Sequence, residues 1–307
     1  MATVHASAGL SESLILSKPL EFAWITFTGA CLACAAGFVN GCTLLGFTDL
    51  GGHVASFTSS HMTGTTTTSA ISLAEEKFDA FGIRLCLIVS FAFGSFLSGA
   101  FTSANSKSWE IGPEYAQLFW LLCAILVAAC IDAYVDPQSF VYYYLAAMAM
   151  GCQNGITSRY SGSLIRTTHV TGTLTDIGLI MGQYTRGVTK DLWKLPVLIT
   201  LVAAFSIGGL LAVADAGNKL ALLGVALFYG LVALFVQFAV ARSLGLGIVN
   251  LLLGRWDRVR ELVQGRREGD GGEEDGGESG SKDGAETAVI NPLYTKIPKA
   301  TYGAGLD

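Results

Sequence analysis

Two short polar phrases stand out in an otherwise apolar chain. His61-Met-Thr63-Gly64-Thr65-Thr-Thr67 is repeated as His169-Val-Thr171-Gly172-Thr173-Leu-Thr175, shifted by 108 positions. Each phrase has the composition of a helix start. The first backbone N–H groups of a helix have no partner within it, and the helix dipole is positive there. Gly64 and Gly172 permit close approach of a ligand to that backbone, and the threonines can cap the helix or donate hydroxyls. The chemistry this suits is binding of a small polar or anionic group. Two such starts meeting near the middle of a membrane would form one site, as discontinuous helices do in repeat-built transporters. Asn40, Gln153 and Asn154 precede the phrases and could add uncharged amides. His61 and His169 could carry a proton or hold their turns by bonding a threonine. Asp176 is the one acidic residue within either phrase, and the sequence expects it to face water or to pair, His169 being a candidate partner. Thr65 and Thr173 complete the set.

The elements that must position these residues are helices in lipid. Of 307 residues, 51% are hydrophobic and 14% charged, against roughly 25% charged in soluble domains. Six apolar runs approach the ~20 residues needed to span a bilayer: Phe22–Phe47, Phe81–Phe101, Ala116–Val135, Ser139–Thr157, Leu192–Ala214 and Leu220–Val240. The phrases fall in two shorter segments, Phe57–Ala74 and Thr168–Gln183. Flanking sequence repeats too: Gly37-Phe-Val-Asn40-Gly41 is answered by Gly151-Cys-Gln153-Asn154-Gly155, and Leu97-Ser98-Gly99 by Ile207-Gly208-Gly209. The expected fold is therefore all-α, a polytopic membrane helix bundle of two internal repeats, residues 22–135 and 139–240. Each repeat holds three spanning helices and one broken or re-entrant Thr/Gly-rich segment.

Charge gives an orientation. With re-entrant phrases, thirteen of sixteen membrane-proximal Lys and Arg residues lie on the side of the termini, and twelve do so if both phrases span. Either way the positive-inside bias puts both ends in the cytoplasm. The polarity of Phe57–Ser69 argues for segments shielded from lipid by protein, hence for re-entrance and for inverted repeats. The plasma membrane fits better than an organelle membrane.

Beyond the membrane domain, residues 245–264 form an expected interfacial amphipathic helix, with Leu252, Trp256, Val259 and Val263 on one face. The formal charge of −5 originates in Glu268–Glu286, whose eight acids and one lysine carry −7. Residues 265–307 are too polar to fold and contain Asn291-Pro-Leu-Tyr294, which has the shape of a peptide-recognition turn. Residues 1–21 form a cytoplasmic lead without the basic n-region of a signal peptide.

Gly37-Phe-Val-Asn40, Met62-Thr63-Gly64-Thr65, Gly151-Cys-Gln153-Asn154 and Thr167-Thr-His169-Val-Thr171-Gly172-Thr173 together resemble the YoaK-type membrane proteins, a family of unknown function. The resemblance covers about residues 22–240. It implies a multi-pass membrane protein and no particular activity. Relatives commonly carry Asp at the place of Asn40 and Thr-Gly-Asn at the place of Thr63-Gly64-Thr65.

An enzyme is not expected: there is no His-Glu-x-x-His, no Gly-x-Ser-x-Gly and no paired carboxylates, hence no catalytic residue. Cys31-Leu-Ala-Cys34 lacks the second ligand pair of a zinc site, so no metal or other cofactor is expected. No basic face suggests nucleic acid. A secondary transporter of a small polar or anionic solute is the leading expectation. The alternative is a non-transporting membrane scaffold that recruits a tail-binding protein. The bilayer is the expected environment, and a homo-oligomer is compatible with it. For orientation, Ser281→Cys in a cysteine-free background should resist an impermeant thiol reagent in sealed cells; rapid labelling would reverse the assignment.

Overall fold

The computed structural model describes residues 19–46, 57–102, 109, 111–218 and 220–243. The chain divides into two units, Met1–Val259 and Arg260–Asp307. The second unit, the expected amphipathic helix at 245–264, the acidic stretch and Asn291–Tyr294 all lie outside the described residues.

Those residues form eight α-helices: α1 (Pro19–Leu45), α2 (Met62–Ala74), α3 (Phe78–Phe101), α4 (Pro113–Val135), α5 (Val141–Tyr160), α6 (Val170–Thr185), α7 (Leu195–Ala214) and α8 (Ala221–Ser243), with a 3-10 turn at Leu192–Lys194 before α7. Local chemistry sets their ends. Pro113 opens α4 at a position where its missing N–H costs nothing. Gly46, at φ +75°, closes α1 and donates to the Cys42 carbonyl at 3.0 Å. The two short helices end alike: Val188 bonds back to Gln183 and Gly187 to Tyr184, as Lys77 bonds to Ser72 and Glu76 to Leu73. The left-handed position is glycine in the one case and Glu76, at φ +59°, in the other.

Among the described residues, five helical stretches are long and apolar enough to cross a membrane: those of α1, α3, α4, α8 and α7 with its preceding turn. Their outer faces carry side chains such as Phe27, Phe96, Leu210 and Leu231, each more than half exposed. Such a surface suits lipid and would be a liability in water. The sixth expected span forms as α5 but is less apolar than expected, because it carries Gln153, Asn154, Thr157 and Arg159. Its protection comes from position. Tyr142, Tyr143, Ala146, Met150, Cys152 and Gln153 are buried by neighbouring helices, the condition under which polar groups are tolerated at membrane depth.

Glycines set how the helices pair. A methyl group on Gly37 would overlap the Phe205 carbonyl, and one on Gly208 the Cys34 carbonyl, so the α1 and α7 backbones touch. The same holds between α3 and α5, where Gly151 meets the Phe91 carbonyl and Gly94 the Met148 carbonyl. Every member of the second contact lies 114 positions from its counterpart in the first: 37 with 151, 205 with 91, 208 with 94, and 34 with 148. Gly41 against Ala212 and Gly155 against Ser98 continue the series. Gly208 is therefore matched by Gly94, one helical turn away from the Ser98 that sequence comparison aligns with it. Contact between backbones, which a serine would prevent, fixes the register.

Directions follow from these contacts. Along both pairs the residue numbers rise together, so α1 runs parallel to α7 and α3 parallel to α5. Between α1 and α5 they run oppositely: Gly46 faces Tyr143, the Leu32 carbonyl meets Gln153, and Gly29 faces Ile165 beyond the end of α5. Hence α3 opposes α1, and α2 leaves and rejoins the bundle at one end. By the same reasoning α7 opposes α5, and α6 leaves and rejoins at the other end. At 13 and 16 residues these helices span only about 20–24 Å. Trp24 beside Phe235, at 5.8 Å between ring centroids, puts the start of α1 next to the end of α8.

Gly37→Ala or Gly151→Ala should lower the thermal stability of the solubilised protein by about 1–3 kcal/mol, the cost of overpacking. Gly178→Ala or Gly182→Ala, where the added methyl meets nothing, should be neutral or stabilising by up to about 1 kcal/mol.

Candidate functional site

Residues 57–61 lead into α2 and are tied to α1. The Asn40 side-chain oxygen accepts from the Ser60 N–H at 3.1 Å and its hydroxyl at 2.9 Å, and Thr43 Oγ1 accepts from the Ser59 N–H at 3.3 Å. Phe57 is buried against Phe140 and Tyr143. His61 then caps α2 by position alone, since no side chain caps the start. Its exposed ring lies over the first turn, in the space a Gly64 side chain would fill. At α6 the arrangement recurs. His169 holds the cap position, its ring covers Gly172, and the Arg166 guanidinium lies close by. The His-x-x-Gly spacing is thus an imidazole seated on a helix start. The two glycines admit a histidine ring there, where the sequence had suggested a ligand.

The threonines do not cap. Thr65 and Thr173 are buried and donate to the carbonyls of His61 and His169, both at 3.0 Å, and Thr67 and Thr175 donate to Thr63 and Thr171. These hydroxyls are satisfied within their own helices. Thr65 and Thr173 also direct their N–H groups to the His61 and His169 carbonyls. Among the described residues, the N–H groups of Thr63 and Gly64, and of Thr171 and Gly172, have no protein acceptor. Thr63 and Thr171 are exposed. Each start therefore offers at least two free N–H donors, a hydroxyl and an imidazole.

The amides have different fates. Gln153 is fully buried and donates to the Leu32 carbonyl and Thr167 Oγ1, both at 2.8 Å, while its oxygen accepts from the Tyr229 hydroxyl. With α1, α8 and the approach to α6 all joined to it, Gln153 has nothing left for a solute and is a structural tie. Asn40 is likewise occupied by Ser60. The Asn154 side-chain oxygen, by contrast, is buried with no protein donor, an unusual state for a buried acceptor.

The starts do not meet. α2 packs chiefly on α3 and α6 chiefly on α7. Gln153, level with Leu32, anchors the approach to α6; Asn40, which anchors that to α2, lies eight residues further along α1, or about 12 Å at 1.5 Å per residue. The two imidazoles belong to separate places, and neither bonds a threonine. Asp176 is exposed and forms no ion pair among the described residues, with His169 or otherwise. None of the twelve candidate residues lines the cavity of about 360 Å³ found in the bundle, which is apolar. Among the described residues no group of three His, Cys, Asp or Glu side chains gathers as a metal site.

Ser60, Thr167, Arg166 and Tyr229 escaped the sequence reading. Only Arg166 left a signal, as a cation three residues ahead of a repeated histidine. Gln153→Leu should lower thermal stability by about 1–3 kcal/mol, because its partners stay buried and unpaired. Gly172→Ala should leave stability within about 1 kcal/mol while displacing the His169 ring, visible as a changed imidazole NMR shift.

A model of a protein family described as "Protein of unknown function (DUF1275)" matches residues 28–237. No curated protein and no solved structure matches this chain. The matched span runs from the second and third turns of α1 into α8 and takes in both helix starts and all four backbone-to-backbone glycine contacts. The chain belongs to the DUF1275 family.

Proposed function

We propose that this protein is a secondary transporter of a small polar or anionic solute, built from two repeats inverted in the plasma membrane. The observation that carries this reading is the pair of like helix starts reaching in from opposite ends of one bundle. The constant separation of 114 residues between equivalent glycine contacts supports the repeat. The opposed directions of α1 and α5 support its inversion, with six crossings and two re-entrant helices. The adjacent ends of α1 and α8 support termini on one side, the cytoplasm by the charge rule.

Each start would serve one side of the membrane. Thr63, Gly64 and His61 meet solute at one face, and Thr171, Gly172, His169 and Asn154 at the other. Free N–H groups at the positive end of a helix favour an anion or the oxygen of a polar solute. Asp176 would sit on the aqueous side of the second start. The alternative of a membrane scaffold rests on residues 245–307, outside the described residues.

Purified protein in proteoliposomes should take up one member of a panel of small anions, sugars and amines. Gly64→Leu and Gly172→Leu should each reduce that uptake at least about tenfold while leaving a monodisperse protein. The double variant should be no worse than either single one, because steps acting in series on one cycle are not additive. Absence of uptake across the panel by well-folded protein would remove the transporter reading.

A further inference from the structure

The apolar cavity of about 360 Å³ lies between α1, α4, α8 and the end of α5, where Ile165 leads towards the α6 start. Thr28, Gly29 and Cys31 form its floor on α1, with Tyr160 and Ile165 at the end of α5. It opens sideways, past Trp24, Phe27, Leu231 and Phe235, whose side chains are half exposed or more.

The glycine contacts define which residues of α5 occupy the place that these occupy on α1. At 114 positions on, Thr28, Gly29 and Ala30 become Tyr142, Tyr143 and Tyr144. Tyr142 and Tyr143 are buried with ring centroids 4.1 Å apart, and Phe57 packs on Tyr143 at 5.6 Å. Gly29 faces Ile165 as Tyr143 faces Phe57, and Ile165 is 108 residues from Phe57, the separation of the two phrases. One side of the bundle is thus filled by aromatic rings where the other is left open. Protein interiors are close-packed, and unfilled space forfeits dispersion contacts.

We infer that this groove holds one acyl chain of an anionic phospholipid. Its walls run from Trp24 to Leu32 on α1 and from Phe228 to Val236 on α8, eight helical steps each, or about 12 Å. That is less than half of the ~30 Å hydrocarbon core, a length that takes part of one acyl chain. On α1 it occupies the half nearer the start of the helix, and on α8 the central turns. Beyond it on α8, Arg242 is exposed and continues the seven-residue stripe of Phe228 and Phe235. Arg166 follows Ile165 directly, its guanidinium on the side of the α6 start. Glu114, beside Tyr115, is the opposing carboxylate among the described residues of this rim. Arg166 and Arg242 outnumber that carboxylate among the described residues, which suits a phosphate headgroup at the membrane surface. Packing alone would not discriminate one lipid from another, since chains in the bilayer are equally apolar. The arginines supply the selectivity.

Native mass spectrometry of the full-length, delipidated protein in detergent tests this directly. Phosphatidylglycerol should add as one retained molecule, at a concentration at least about tenfold lower than phosphatidylcholine with the same chains, the preference two surface arginines would give. Thr28→Tyr, which places on α1 the ring that α5 carries, and Cys31→Trp should both lose the adduct while staying monodisperse. Arg166→Gln with Arg242→Gln should bind both lipids alike. Retention of the adduct in both filled variants, or its absence from the wild type, would overturn the inference; so would a dimer that the filled variants dissolve. Should neither filled variant fold, brominated phosphatidylglycerol can be titrated against the wild-type groove, with Trp24 as the sole remaining tryptophan. Quenching that saturates at one lipid is expected, and quenching that rises without saturation would refute the site.

Discussion

Four glycines bring helix backbones into direct contact, and the rest of the bundle depends on that approach. In a bilayer, apolar side chains gain little by leaving lipid for protein, so helices associate through close packing and hydrogen bonds. Gly37 and Gly208 let α1 and α7 touch, and Gly94 and Gly151 do the same for α3 and α5. Each contact joins a helix of one half of the chain to a helix of the other. The halves are interlocked, and the polar side chains of α5 are buried in part by helices of the other half. The same contacts fix helix directions, and those directions require α2 and α6 to turn back at opposite ends.

That interlocking accounts for the placement of polar groups. α5 is the least apolar of the long helices and the best covered. Gln153 at its centre directs all its hydrogen bonds to protein, joining segments far apart in the chain. A single amide satisfied in this way resists rearrangement, because moving any partner strands the others. The helix starts differ in kind. Their rings are exposed and their first N–H groups are free, which leaves them available to something other than the protein. The rigid crossing and the open starts divide the labour expected of a scaffold and the site it carries.

The correspondence between glycine contacts 114 positions apart is informative where it fails. Asn40 bonds Ser60, whereas Asn154 at the equivalent place has a buried oxygen without a donor. Three tyrosines fill α5 where α1 has Thr28, Gly29 and Ala30. Both departures fall in the regions proposed to meet ligand, at the second helix start and at the lipid groove, while the glycine crossings stay equivalent. Positions that hold the two halves together are under the same steric demand on each side. Positions that face solute or lipid are not.

Much of the architecture was legible in the residues themselves. Apolar runs of the right length, Pro113 and Gly46 at helix ends, and the His-x-x-Gly phrases are local signals, and hydropathy and capping act over a few residues. The long helices, their approximate limits and the two special segments therefore followed from the sequence alone. What Gly64 and Gly172 accommodate did not, since whether a ligand or a histidine ring fills that space depends on a side-chain rotamer. Nor did the match of Gly208 with Gly94 one turn away from Ser98, because helical sequences rich in small residues align equally well at neighbouring turns. Gln153 looked like a ligand for solute until Leu32, 121 residues distant, and Tyr229 were found on it. Local chemistry decided which segments are helical. Only the tertiary structure decided which polar groups are spent on the fold and which remain free, because a hydrogen bond between distant segments exists only once packing has brought them together.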